Sequence, residues 1–262
     1  MNFLLIGDIV GRAGRRAVRK YLEDLIEKHD IDFVIANGEN AAGGFGITKK
    51  VAEELFEYGI DCLTMGNHTW KNKNIYKFID DEPRLIRPLN FAPGIPGRGI
   101  GSFLKNGRRI IVVNLIGQIF MQSHDSPFRV IDKNIKSLNM DADIVLVDFH
   151  AEATGEKIAL ARFLDGKVDC VFGTHTHVQT SDAQILPEDT AYISDLGFSG
   201  AVESILGMKP QEIIKKHLTG MPTKFKVGTG AVKLEGAIYR HGQNQITPLR
   251  IKEDQETREA EV

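Results

Sequence analysis

MNFLLIGDIVGRAGRRAVRKYLEDLIEKHDIDFVIANGEN, residues 1–40, holds two short apolar runs separated by an amphipathic stretch. Asn2–Ile6 and Phe33–Ala36 have the length and composition of buried strands. Between them Val18, Tyr21, Leu22, Leu25 and Ile26 recur at helical spacing, so Arg12–Lys28 reads as an amphipathic helix. The pattern continues past the turn-rich NGENAAGGFG at 37–46. Thr48 is placed to cap a helix whose apolar face is Val51, Ala52, Leu55 and Phe56, and Asp61–Met65 reads as a third strand. A β-α-β-α-β order argues for a parallel sheet with right-handed crossovers, hence an α/β fold.

Further along, Pro83–Gly101 and Gly117–Phe128 read as ordered loops. Ile110–Ile116, Ile144–Phe149 and Val168–Phe172 read as strands, with Thr154–Leu164 a helix between the last two. Thr190–Ile193, Lys224–Val227, Ala231–Tyr239 and Ile246–Ile251 are short strand-like runs, expected to form a second sheet packed on the first, and Gln211–His217 a helix. Residues 1–252 are expected to form a single domain, and EDQETREAEV at 253–262 a charged, disordered tail.

Composition narrows the class. The net charge of −2 leaves no basic excess for duplex nucleic acid, so a phosphate-handling site must draw positive charge locally. Cys62 and Cys170 lie in apolar runs without a CxxC partner, which suits buried thiols in a reducing cytoplasm. The N-terminal apolar run lacks the basic flank of a signal peptide, and no run reaches the ~18–20 residues of a membrane helix. A cytoplasmic protein without a membrane partner is expected.

The chemistry lies where strands end. Five strand-like runs finish in metal-capable side chains: Asp8, then Glu39 and Asn40, then Asn67 and His68, then His150, then His175 and His177. Carboxyl ends of parallel strands share one edge, where ligands bind. His29, His124, His217 and His241 sit in polar or loop contexts and read as solvated. Deep polar groups must be paired or coordinated, and metal ligation serves all the strand-end residues at once. Seven groups (Asp8, Glu39, Asn40, Asn67, His150, His175, His177) exceed the three or four that one catalytic metal takes. They suit two ions sharing Glu39 as a bridge. Oxygen and imidazole ligands without thiolate favour Mn, Fe or Zn over Mg or Ca. Such a pair, ~3.5–4 Å apart, suits phosphoryl transfer by a shared hydroxide. Asn67 is assigned to metal, and His68 to the leaving group as general acid or charge stabiliser.

GNH at 66–68 and GTHTH at 173–177 resemble the calcineurin-like metallophosphoesterases. GDIVGRAGR, NGENAAGGFG, GNHTW and the isolated His150 are similar to its YmdB-like branch, from Met1 to about residue 250. The resemblance implies a four-layer αββα sandwich with a dinuclear site at one edge. It assigns Asp8, Glu39, Asn40 and His177 to the first metal, Glu39, Asn67, His150 and His175 to the second, and His68 to catalysis. It implies two divalent or trivalent transition-metal ions, Fe or Mn first and Zn next. The implied activity is phosphodiester hydrolysis, including 2′,3′-cyclic nucleotides such as 2′,3′-cAMP. Small phosphodiesters, nucleotides or RNA ends are the expected partners, with a homo-oligomer open. The chain departs from the wider superfamily at Val10, where D-x-H has histidine, and at Glu39-Asn40, where the bridge is usually aspartate. Both match the YmdB-like branch and leave metal identity open.

Rival readings are weaker. Gly7, Gly11 and Gly14 give G-x-x-x-G-x-x-G, not the dinucleotide fingerprint, and no P-loop is present. A phosphomonoesterase with the same metals, or a non-catalytic metal- or nucleotide-binding regulator, remain alternatives. Phe91, Phe120 and Phe128 are candidates to stack a base and Arg12, Arg87 and Arg98 to reach phosphate, each set against ordinary packing or solvation. Asp148, Glu152 and Asp195 are candidates to orient metal-bound histidines.

Overall fold

A computed structural model of the chain describes residues 1–253. The tail expected to be disordered therefore lies, from residue 254 on, outside the described residues. The chain runs β1 (Asn2–Ile6), β2 (Asp8–Ile9), α1 (Gly11–His29), β3 (Phe33–Asn37), α2 (Lys49–Glu57), β4 (Cys62–Thr64), β5 (Leu85–Ile86), β6 (Ile100–Lys105), β7 (Arg108–Ile116), α3 (Pro127–Asp141), β8 (Ile144–His150), α4 (Thr154–Leu164), β9 (Cys170–Thr174), β10 (Gln184–Ile185), β11 (Ala191–Ile193), β12 (Phe198–Ala201), α5 (Pro210–Thr219), β13 (Val232–Arg240) and β14 (Gln245–Lys252).

Among the described residues, one sheet has the order β2-β12-β13-β1-β3-β4-β5 with β14 beside β13, and the other β10-β11-β9-β8-β7-β6. β1, β3 and β4 are parallel, as the opening stretch predicts, and β5, within a stretch read as loop, continues them in the same sense. β7, β8, β9 and β11 form the parallel centre of the second sheet.

The period-2 alternation of strands builds the layers. In β1, Leu4 and Ile6 face Val18 and Leu22 of α1 and Leu55 of α2. Phe3 and Leu5 face the other way and meet Ile110, Val112, Ile144 and Leu146 of the second sheet. On its far side that sheet packs Val113 and Val147 against Ile131 and Ile135 of α3 and Leu160 of α4. The result is the expected αββα sandwich with three apolar interfaces. Each fully buried aliphatic side chain contributes about 1.5–3 kcal/mol. Cys62 and Cys170 are free thiols inside the inter-sheet core. Burial raises both thiols far above their usual pKa. Among the described residues no helix is long and apolar enough to cross a membrane.

The last third differs from its sequence reading. The second sheet is built from β6 to β11, while β12, β13 and β14 return to the first. β13 lies antiparallel against β1, pairing Phe3 with Tyr239 and Leu5 with Ala237. It can do so because both its faces are apolar: Leu234 and Ile238 join the helix side, Ala237 and Tyr239 the inter-sheet core. Lys224–Val227 is not a strand; only Val227 forms an isolated bridge, to Met208. Its lysines are exposed and no neighbouring strand accepts it. α3 and the strands β2, β5, β6, β10 and β12 were not anticipated. Ser126 caps α3 and Pro127 opens it, both within the stretch read as loop.

Candidate metal centre

The strand ends do converge, but from two sheets. Asp8 opens β2, Glu39 and Asn40 follow β3, Asn67 and His68 follow β4, His150 closes β8, and His175 and His177 follow β9. Asp8, Glu39, Asn40 and His150 are buried. His175 and His177 have left-handed backbone, φ 102° and 62°. Such strain in non-glycine residues persists only when surroundings enforce it. Here the His175 N–H donates to Asp8 Oδ2 at 3.0 Å and the Thr176 N–H to Asp195 Oδ2 at 3.0 Å.

One set of groups lies around His150 Nε2. Glu39 Oε1 is 3.0 Å away, Asn67 Oδ1 3.0 Å and His175 Nδ1 3.1 Å. Glu39, His150 and His175 form a group that could hold a metal ion, their ligand atoms all within 4.8 Å of one another. A second set adjoins it. His177 Nε2 is 3.5 Å from Asp8 Oδ1 and 3.2 Å from Asn40 Nδ2. Glu39 links this region to His68, accepting its backbone N–H at 2.7 Å on Oε2. His68 Nδ1 is 2.7 Å from Asn40 Oδ1. The Phe45 ring stands edge-on to His68 at 4.9 Å between centroids.

Outer partners fix which nitrogen of each imidazole carries hydrogen. The Thr174 hydroxyl donates to Asp148 Oδ1 at 2.8 Å, so at 2.9 Å it can only accept from His150 Nδ1. His177 Nδ1 faces the Leu206 carbonyl at 3.0 Å, which also only accepts. His175 Nε2 pairs with Glu152 Oε2 at 3.0 Å. Each ring, when neutral, therefore turns its lone pair inward: His150 Nε2 toward Glu39 and Asn67, His177 Nε2 toward Asp8, and His175 Nδ1 toward His150. Lone pairs about 3 Å apart repel unless a cation lies among them. A shell of ligands at ~2.0–2.1 Å has edges of about 3.0–3.4 Å, which matches the set around His150. The residues fit a metal ion.

The electrostatics agree. Burial opposes the Asp8 charge, yet His177, His150 and the His175 N–H hold its carboxyl well below the usual range. Glu39 is lowered likewise, burial being outweighed by His150 and His68. Burial disfavours charge on His150, but Glu39, Asp8 and Asp148 push its pKa up to about 9, so before a metal ion binds, a proton on the ring meets the same demand for positive charge. Burial and His150 together lower His175 to about 3. The two carboxylates thus demand positive charge, while burial and the neighbouring His150 keep His175 neutral against their pull.

The orienting residues were read unevenly in the sequence. Asp148 reaches His150 through Thr174, and Glu152 touches His175 directly. Asp195 contacts no imidazole; it pairs with Lys157 Nζ at 2.7 Å and secures the strained turn. Thr174, Thr64 and Asn37 were missed, because nothing in the sequence marks which hydroxyl or amide backs a given ring. Gly66 was quoted only as part of GNH. A Cβ there would lie 2.2 Å from the His150 ring. Arg87 is spent on the carbonyls of Pro88, Ile95 and Pro96, and Arg98 on that of Asp80. Phe128 packs on Phe163 and Phe91 on Trp70 and His124, whereas Phe120 stands exposed. Of the histidines read as solvated, His241 pairs with Asp169 at 3.0 Å and His124 is half-buried.

The family model of YmdB-like proteins matches residues 4–253. The chain belongs to the YmdB-like family. It is 47% identical to a 2′,3′-cyclic-nucleotide 2′-phosphodiesterase of Bacillus subtilis, over 91% of this chain and 90% of that protein. A hypothetical protein of Thermus thermophilus superposes with TM-score 0.92 at 39% identity, covering 97% of this chain and all of that one. A structure described as a novel phosphatase from Mycoplasma pneumoniae gives TM-score 0.90 at 34% identity, covering 97% and 94%. Membership in the YmdB-like family makes this chain a hydrolytic enzyme of the phosphoesterase superfamily.

Proposed function

We propose that the protein is a metal-dependent phosphodiesterase that opens the P–O2′ bond of 2′,3′-cyclic nucleotides. The observation that carries this reading is the set of three imidazoles whose outer hydrogen bonds turn their inner nitrogens into one pocket with the buried Asp8 and Glu39 carboxylates. The substrate class follows from the likeness to the Bacillus subtilis enzyme. Asp8, Glu39, Asn40 and His177 would hold one metal ion and Glu39, Asn67, His150 and His175 a second, with Glu39 shared. Fe or Mn suits these ligands best, with Zn next. Two bound ions would supply the positive charge that clamps phosphate oxygens and acidifies the attacking water.

The chain's own residues do the rest. Asp8 and Glu39 stay ionised in a buried pocket, so the centre's charge is set before substrate arrives. Glu152, Thr174 and the Leu206 carbonyl keep the three rings from rotating, so no reorganisation is needed during reaction. His68 stands on the open side, 21% exposed, with its ring braced by Phe45 and Asn40. It donates the proton that the departing O2′ needs as water oxygen joins phosphorus, leaving a 3′-phosphomonoester. The buried free thiols suit a reducing compartment, and we place the protein in the cytoplasm.

The test is metal content and hydrolysis of 2′,3′-cAMP in protein purified without chelator, with 3′-AMP as the competing monoester. About two ions per chain are expected, with turnover of the cyclic diester far above that of 3′-AMP. Asp8→Ala should lose both metal and turnover. His68→Ala should keep its metal and lose about 10²–10⁴-fold in kcat. Metal without turnover of either ester would point to a binding regulator, and preference for 3′-AMP to a monoesterase.

A further inference from the structure

The chain carries a net charge of −2, yet one groove of about 650 Å³ gathers Arg12, Arg15, Arg16 and Arg19 from α1 with Lys50 from α2. The acid lining this groove is Glu54, already engaged by Arg15 at 3.1 Å and by the Tyr58 hydroxyl at 2.8 Å. Arg16 is turned to the Gly230 carbonyl and Glu253. Arg12, Arg19 and Lys50 are exposed and make no ion pair among the described residues. Their charge is left facing solvent, where a folded protein gains nothing from like charges set side by side.

None of the proposed ligands lines the groove, but its α1 wall starts against the loop that supplies two of them. α1 starts three residues after Asp8, and its Gly11 N–H donates to the Asn40 carbonyl at 2.9 Å. Arg15 Nη1 donates to the Ala41 carbonyl at 2.6 Å, in the loop that supplies Glu39 and Asn40. Arg12 and Arg19 lie two turns apart on one face, about 10 Å along the axis. That is the length of roughly three nucleotides at ~3.4 Å per stacked step. A mononucleotide bound at the centre would leave these charges unused; a strand extending from it would meet them in turn.

We propose that the α1 groove carries the 5′ side of an RNA strand whose 3′-terminal 2′,3′-cyclic phosphate occupies the metal centre. This rests on the diesterase reading above and makes RNA ends, rather than free cyclic mononucleotides, the preferred substrate. The bond broken is the same: water oxygen joins phosphorus, P–O2′ opens, O2′ takes the proton, and the strand leaves with a 3′-phosphate.

The experiment compares the as-purified protein with the Arg19→Glu/Lys50→Glu variant, both positions exposed and outside the proposed ligand set. Binding of a 5′-fluorescent decanucleotide RNA with a 3′-phosphate is followed by anisotropy between roughly 50 and 200 mM salt. The parent protein is expected to bind the decanucleotide at least tenfold tighter than the matching dinucleotide. The variant should lose that advantage, and its slope of log affinity against log salt should fall by about 1.4, two contacts at ~0.7 each. Turnover of 2′,3′-cAMP should be unchanged in the variant, while turnover of a decanucleotide ending in a cyclic phosphate should drop about tenfold in kcat/KM. Equal affinity for the two lengths, an unaltered variant, or displacement of RNA by polyglutamate of equal charge would each overturn the groove assignment. If neither protein hydrolyses 2′,3′-cAMP, the diesterase reading fails instead, and the binding arm still decides the groove.

Discussion

His150 shows how much of a metal-capable histidine is decided by a residue that never reaches the centre. Its Nδ1 meets a hydroxyl that is already donating, so Nε2 is the nitrogen left to face Glu39, Asn67 and His175. Thr174→Val keeps the side-chain shape but removes the acceptor. The ring is then free to turn, and metal affinity should fall about 10–100-fold. Retained metal against a graded series of chelator concentrations measures this, and Thr174→Ser should restore it. An unaffected Thr174→Val protein would show that packing alone orients the ring. The seven ligand candidates were legible because carboxylates, amides and histidines gathered at strand ends do little for a core. Thr174 was not, since a threonine closing a strand is indistinguishable from one that merely packs.

At the scale of elements, the strand ends are brought together by close backbone approach. Gly66 lets the β4 end pass the His150 ring, which a Cβ would meet at 2.2 Å. Gly66→Ala must displace that ring or the loop. A destabilisation of about 1–3 kcal/mol is expected, together with loss of bound metal, read by urea unfolding and metal analysis on the same sample. α4 contributes a second device. Lys157 is 2% exposed and spans from the helix to Asp195 at 2.7 Å and the Thr174 carbonyl at 2.8 Å. Lys157→Met leaves Asp195 buried without its cation and should cost about 3–5 kcal/mol. Lys157→Met/Asp195→Asn should recover part of that loss, and no recovery would mean the aliphatic stem matters more than the charge. The β-α alternation of the first 65 residues was readable from periodicity. α3 was not, although Ile131, Ile135 and Leu138 lie on its buried face, because its start falls within a stretch that reads as loop. The assignment of β12 to β14 to the first sheet depends on pairings across more than 200 residues, which no local pattern encodes.

For the whole molecule, the last described residue closes the first layer onto the helix above it. Glu253 accepts the Val232 N–H at 3.0 Å and pairs with Lys20 at 2.6 Å and Arg16 at 3.3 Å. The residue assigned to the tail in the sequence reading is thus tied down. Its pKa is lowered from 4.5, first by the hydrogen bond from Lys20, then by the Val232 N–H and the charges of Lys20 and Arg16, against burial. A depressed folded pKa contributes stability above the unfolded value, lost as pH falls through the folded one. Glu253→Gln should therefore cost about 0.3–1 kcal/mol near neutral pH and nothing in acid well below the carboxylate range. Parallel urea titrations at the two pH values check this, and an equal cost at both would assign the effect to the backbone hydrogen bond.

The antiparallel seat of β13 against β1 also has a meaning in time. Every proposed ligand is already in the chain by His177, but the partner of β1 on that side is Val232–Arg240. On a ribosome adding ~5–20 residues per second, the first strand would wait on the order of ten to fifty seconds for its neighbour. Throughout that interval the nascent protein holds a bare, apolar strand edge of the kind that recruits other chains. The enzyme's chemistry is thus written early in the polypeptide, and its protection from self-association arrives last.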